Sequence, residues 1–254
     1  MDGIYIASPF ALQTDFIDVE RIEVLRGPQG TLFGQNSTGG AINVISTAPS
    51  SEAFSGKVDT TLGSYNLQKV RGSVNVPLSD TVAMRTSFTS ATRDGFSKNV
   101  LNGQELDDME NLSLRTDWLF DLSANTSLRV FGQAFDEDAN GAAIKGIDDP
   151  TPDERKLAQD TRSKYTLESR IVGAILETDL GAATLKTLGS WQKDDILVVR
   201  DNDRHSYELN PAYTISAFDP ETSEVETRTL EVNMISNQPL FDKVDWIVGA
   251  FYLD

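Results

Sequence analysis

The sequence of 254 residues contains no cysteine and a single histidine, His205. Without thiols there is no disulfide framework, no thiolate metal site and no cysteine nucleophile. One imidazole excludes a metal centre built on two or three histidines. Basic residues are scarce: 22 Lys+Arg stand against 39 Asp+Glu, a formal charge of −17. That balance argues against nucleic acid as a partner, because tracking a phosphate backbone needs clustered Lys and Arg. Long apolar runs are missing as well. The longest, residues 246–253, has eight residues, where a membrane-spanning helix needs about 20. A helical span is excluded, but a β-barrel is not, since its strands cross with about 9–11 alternating residues. The N-terminus, Met1-Asp-Gly-Ile-Tyr, lacks the basic and apolar regions of a secretory signal. It predicts either a cytoplasmic chain or a natural start upstream of Met1.

What is present changes character near residue 55. Before it lies a glycine-punctuated stretch, Arg26-Gly-Pro-Gln-Gly-Thr-Leu-Phe-Gly-Gln-Asn-Ser-Thr-Gly-Gly40, with strand-like runs at 21–25 and 41–46. Such glycines mark tight turns or close backbone approach. From Gly56 onward, segments rich in Val, Thr, Leu, Ile and aromatics recur between turns. They predict strands near 56–64, 67–77, 81–93, 109–120, 127–136, 165–179, 183–199, 223–236 and 244–253. In the second, Val70, Gly72, Val74 and Val76 alternate with Arg71, Ser73 and Asn75, a period of two with one apolar face. Short connections (77–80, 121–126, 180–182, 237–243) alternate with long polar ones (94–108, 137–164, 200–222), the first hairpin at 63–66 being the exception. Short turns on one side and long loops on the other are the pattern of an outer-membrane barrel. The competing reading is a soluble secreted β-sandwich binding module with acidic loops.

Chemical motifs do not survive inspection. The segment 34–39 has the glycine spacing of a phosphate loop, but Gly40 and Ala41 stand where Lys and Ser/Thr are required. Asp201, Asp203 and His205 sit two apart in a long polar loop and read as a solvated charge cluster. The run Asp136, Glu137, Asp138 with Asn140 resembles a calcium loop, but Ile147 occupies the place of the twelfth, acidic ligand. No catalytic constellation, metal site or cofactor is expected, and the chain is not read as an enzyme.

Residues 19–45 resemble the plug domain of TonB-dependent outer-membrane receptors. The family pattern runs from an acidic-hydrophobic strand through Leu-Arg-Gly-Pro and Gly-x-x-x-x-Gly-Gly to Ala-Ile-Asn, and all of it is present in register. Upstream, residues 2–5 are similar to the strand that precedes this motif. Downstream, 63–66, 75–78, 93–96, 231–236 and 246–251 are similar to barrel strands of the siderophore-type branch. The resemblance implies a mainly β fold: a partial plug domain at 1–55, then at 56–254 an incomplete antiparallel transmembrane β-barrel of about nine strands out of about 22. It implies a fragment of a receptor in the outer membrane of a Gram-negative bacterium. Such a receptor takes up a large scarce solute, most often an iron–siderophore complex. Its partners would be outer-membrane lipid, the TonB energy-coupling protein and the iron chelate. The plug motif assigns structural and gating roles to Glu23, Arg26, Gly27, Pro28, Gly30, Gly34, Gly39, Gly40 and Asn43. It also suggests a plug–barrel ion pair between Arg26 and Glu231. Lacking a coupling segment and a closed wall, the chain by itself is expected to transport nothing.

Overall fold

The computed structural model describes residues 1–6, 17–27, 39–204, 206, 218–241 and 243–254. These residues contain strands and no helix. β1 (Val19–Arg26) and β2 (Gly40–Ser46) pair with each other alone. β3 (Ser55–Gly63), β4 (Leu67–Ser79) and β5 (Val82–Arg93) follow, then the short β6 (Ser97–Asn99) and β7 (Glu105–Leu106). β8 (Met109–Ser123) and β9 (Thr126–Ala139) are long, and β10 (Lys156–Leu157) is short. β11 (Lys164–Asp179), β12 (Ala183–Asp201), β13 (Phe218–Ser236) and β14 (Ile247–Leu253) complete the chain. The nine long strands from β3 onward form one antiparallel sheet in chain order, with β3 and β14 at its two edges. All nine strands expected from the alternation are there.

Which face of this wall is buried decides the fold class. On β8, Ser113, Arg115 and Asp117 are buried, while Leu112 and Leu114 of the opposite face are 52% and 51% exposed. On β13, Thr227 and Thr229 are buried, while Leu230, Val232 and Met234 are exposed. A soluble sandwich would bury the opposite set. A polar inner face and an apolar outer face are what a barrel wall in lipid requires. The inner face is not uniformly polar. Phe131, Phe135, Leu167, Ile171 and Ile196 are buried there as well.

The outer face also measures the crossing. From the short-turn end, β8 presents Phe120, Trp118, Thr116, Leu114 and Leu112 outward before the first charge, Glu110. On β11 the series is Thr178, Leu176, Ala174 and Val172, then Arg170; on β13 it is Ser236, Met234, Val232 and Leu230, then Arg228. Four or five outward residues per strand correspond to about 8–10 residues of chain, the length of a transmembrane β-crossing. Trp118 and Phe120 stack on this face with ring centroids 6.4 Å apart, beside the turn to β9.

The long connections hold more structure than their polarity suggests. β10, β6 and β7 form a three-stranded sheet, with β10 parallel to β6, so the 94–108 and 137–164 segments are tied to each other. Leu106 and Leu157 are 1% exposed beneath it. Strands of two or three residues have no period to read, which is why the sequence shows only loops there. The first hairpin, short where a long loop was expected, turns through Tyr65 and Asn66, both at positive φ. Arg155, from the 137–164 segment, covers it and donates to the Tyr65 hydroxyl at 2.6 Å.

The glycine expectation divides. Gly40 opens β2 at φ +143°, and a Cβ there would lie 2.4 Å from the Leu25 carbonyl oxygen. Gly39 has no such φ and open space around it. Gly40→Ala should therefore lower stability by more than about 1 kcal/mol, while Gly39→Ala should stay within about 0.5 kcal/mol. Protease resistance of the β1–β2 hairpin during thermal ramps of the purified receptor would show it. Equal effects of the two substitutions would refute the assignment.

Candidate functional site: the interface between hairpin and wall

Two short segments carry the β1–β2 hairpin to the inner face of the wall. Residues 1–6 run along β9 and β11, where Ile4 packs on Phe131 and Ile171, with Met1, Ile6 and Ile175 around them. Tyr5 meets Phe251 of β14 edge to face, with centroids 6.3 Å apart. The linker after β2 is pinned by Asn75 of β4. Its side-chain amide donates to the carbonyls of Ser50 and Ala53 at 2.8 Å and accepts from the Ser50 N–H at 2.9 Å.

The charged centre lies between these segments. Asp2, at positive φ, accepts from the backbone N–H and hydroxyl of Ser46 at 2.9 Å, which locks it to β2. Its other oxygen receives Nη2 of Arg115 on β8 at 2.9 Å. Arg115 also donates to Asp117 at 2.9 Å and to Gln133 at 3.2 Å, and lies over the Phe131 ring at 4.1 Å. Arg129 of β9 donates to Asp117 at 2.7 Å and to the Ser46 hydroxyl at 2.8 Å, and its Nη1 is 3.6 Å from Asp2. Two carboxylates and two guanidiniums thus form one neutral, buried quartet spanning hairpin and wall. The side chains of Asp2, Arg115 and Asp117 are 1%, 3% and 3% exposed.

A second contact sits next to it. Asp18, which precedes β1, is held by Arg85 of β5 through Nε and through Nη2 at 2.9 Å, and by the Ser87 hydroxyl at 2.9 Å. Lys57 of β3 lies 3.8 Å away. Burial alone would raise the Asp18 carboxyl. The hydrogen bonds from Arg85 and Ser87 and the charges of Arg85 and Lys57 outweigh it, and hold Asp18 below the ordinary carboxylate range.

The expected site residues separate in this picture. Glu23 and Asn43 are register partners, and the Asn43 amide donates to Glu23 at 3.2 Å. Arg26 ends β1 opposite Gly40, and Gly27 follows it at positive φ. Pro28, Gly30 and Gly34 lie outside the described residues, as does His205. Glu231 faces inward and accepts from Asn233 at 2.5 Å. The described ion pairs to the wall run through Asp2 and Asp18 to Arg85, Arg115 and Arg129, with the acids in the segments that flank the hairpin and the bases on the wall. The Arg26–Glu231 expectation had the opposite polarity. The sequence offered a partial signal: Arg85, Arg115 and Arg129 each lie on the more polar of the two faces of an alternating strand, where a charge removed from water needs a partner.

Asp201 departs from its expected solvated state. It closes β12 at 5% exposure and accepts from the backbone N–H groups of Thr161 and Arg204. Burial, then the contact with the Asp203 carboxyl, push it up to about 6. Among the described residues no group of three or more acidic or His side chains could hold a metal. A cleft of about 310 Å³ beside Thr166, Glu168, Asp195, Leu197, Thr222 and Glu224 opens on the outward face. It lies past Arg170 and Arg228, beyond the apolar band, and faces away from the lumen.

A hairpin held by buried charge against the lumen face of a membrane wall defines a plug-and-barrel protein. Residues 1–41 match the model of the TonB-dependent receptor plug domain. Among curated relatives, the ferripyoverdine receptor of Pseudomonas aeruginosa is 29% identical over 138 residues, 52% of this chain and 16% of that protein. The pesticin receptor of Yersinia pestis is 43% identical over 51 residues, 20% of this chain and 7% of that protein. Among solved structures, the ferric yersiniabactin uptake receptor of Y. pestis superposes with TM-score 0.79 at 16% identity, over 94% of this chain and 36% of that one. The P. aeruginosa ferripyoverdine receptor bound to ferripyoverdine gives 0.77 at 19% identity, over 99% and 35%. Residues 1–41 are thus plug-like in sequence, and the chain as a whole has the fold of part of the plug and part of the barrel of the solved siderophore receptors. It spans about a third of the length of the solved receptors it matches.

Two outcomes are expected from the charges. Arg115→Ala leaves Asp2 and Asp117 sharing one guanidinium in a dry interface, so plug docking should weaken by about 3–5 kcal/mol. Hydrogen exchange of the β1–β2 amides would report it, and unchanged protection would reject the quartet as a latch. For pH, the depressed Asp18 contributes fully above its ordinary value of 3.8 and loses its contribution as pH falls below it. Raised Asp201 behaves oppositely: its contribution is complete below 3.8 and lost as pH climbs through about 6. Protection factors, which divide out the intrinsic pH dependence of amide exchange, should therefore fall near Thr47 on strong acidification, and near Thr161 between pH 5 and 7.

Proposed function

We propose that this chain is the plug-bearing part of a receptor for energy-coupled uptake of a large scarce solute, with an iron–siderophore complex as that solute. One observation carries the reading: the neutral, buried Asp2–Arg115–Asp117–Arg129 quartet. A plug that merely filled a pore could pack through apolar side chains. Buried ion pairs are steep in distance and direction, so they hold firmly and fail abruptly once separated and rehydrated. That is the behaviour of a latch opened by pulling. Solute binds from the side of the long loops. The TonB protein, drawing on the plug from the opposite side, breaks the quartet and opens a path along the wall. Several of the receptors that this chain resembles are named for ferric siderophores and related metal chelates, which supports the solute class.

Orientation follows in the same proposal. Segments 94–108, 137–164 and 200–222 are external, the short turns periplasmic, and Trp118 with Phe120 belongs to the periplasmic aromatic girdle. The plug ends, and the barrel begins, at about residue 55. Arg26 and Glu231 are a further plug–wall ion pair in this proposal, which a charge exchange at both positions would test.

The decisive experiment places a receptor containing this chain in a strain lacking its own siderophore receptors. Growth on a panel of ferric chelates under iron limitation should be restored for at least one chelate and lost when TonB is deleted. Arg115→Ala should reduce uptake at least about tenfold or leave the pore leaky to a large polar dye. Restored growth independent of TonB would overturn the reading.

A further inference from the structure

The inner face of the wall carries polar atoms that folding leaves unmatched. Ser113 of β8, Phe135 of β9, Ser169 of β11 and Asp194 of β12 are successive partners in one cross-strand row. Ser113 and Asp194 are 0% exposed and Ser169 is 2% exposed. Among the described residues, Ser113 Oγ, Ser169 Oγ and Asp194 Oδ1 have no hydrogen-bond partner, nor does Asn111 Oδ1, the next inward position on β8. Asp194 has one described partner, the Gln192 amide, which donates to Oδ2 at 2.7 Å. No described ion pair includes it.

The contrast with the adjacent row makes this informative. Two residues nearer the short turns lie Arg115, Gln133, Ile171 and Gln192, again successive partners. There the guanidinium has an acceptor for Nε, Nη1 and Nη2. The same wall, at the same depth of burial, therefore satisfies its polar atoms where it holds the plug and leaves them open just beyond. An unmatched buried carboxylate oxygen opposes folding, and natural interiors keep few such groups without a use. Apolar residues would serve better here if the position had only to be filled, as Phe135, Leu167 and Ile196 do beside it.

We propose that this strip is a contact surface for the moving solute, with Asp194 as its specificity-determining residue. The assignment rests on the transport reading above. Plug displacement uncovers the row. A carboxylate oxygen with free lone pairs, next to the Ser169 hydroxyl, then favours groups that donate hydrogen bonds and carry positive charge. The class of solute selected is a chelate bearing a protonated amine or several N–H and O–H donors, rather than one with a net negative rim.

The test uses a receptor containing this chain, in cells with TonB, and two ferric trihydroxamates that differ only in a free amine against its acetylated form. Initial uptake rates and external binding affinities are measured for each. Asp194→Asn, which preserves shape, should lower the amine-to-acetyl ratio of uptake rates by about fivefold with external affinity unchanged. Asp194→Glu should keep the ratio within about twofold of the parent. Heat-modifiable mobility confirms that each variant assembles. A ratio unchanged in Asp194→Asn, with transport intact, would overturn the strip and leave the latch standing. Failure of the unsubstituted receptor to take up any ferric chelate would instead overturn the transport reading, and this assignment with it.

Discussion

The rest of the structure depends on a salt-bridged contact between two parts of the chain that are far apart in sequence. Asp2 meets Arg115 and Arg129 across 113 and 127 positions respectively. Each partner is fixed in turn by its own surroundings: Asp2 by Ser46 of β2, and both arginines by Asp117. The desolvation of four charges is tolerated because the quartet is neutral and well supplied with hydrogen bonds. Removing any member leaves an uncompensated charge in a dry place. The plug's position, the polarity of the wall's inner face and the proposed gating step all follow from that constraint.

Placing polar residues inward reverses the usual logic of a β-protein and explains the composition. Mean hydropathy is −0.29 and the charge is −17, values expected of a water-soluble chain. Yet every long strand crosses an apolar layer, because only alternate residues need to be apolar and one in two can be charged. The charged residues of the wall strands divide between two places, the lumen face and the outward ends of the strands. In the second group, Arg170 pairs with Asp136, and Lys193 with Glu224.

Much of this was legible in advance, for identifiable reasons. The nine wall strands follow from a period-two pattern that a sheet cannot disguise. The plug hairpin follows from a run of turn-forming glycines between two short apolar stretches, and Gly40 stands where its backbone needs it. Other features were not legible. The loop sheet of β6, β7 and β10 is made of strands too short to show a period. Asp201 looked solvated because nothing local shows that Thr161, forty residues away, caps it. Asp2 drew no notice as a charge partner, since its neighbours in sequence say nothing of the arginines it meets.

By itself, the sequence determined the class: an alternating wall, a glycine-rich plug motif, no thiol chemistry, and too few histidines for a metal centre built on them. Those are local properties, written in composition and spacing. Only the tertiary structure decided which face of each strand is wet, which carboxylate meets which guanidinium, and which polar atoms are left unmatched. The physical reason is that alternation specifies two faces without saying which points inward. Electrostatic partnership depends on distance through space, which the chain sets only when the plug is seated against the wall.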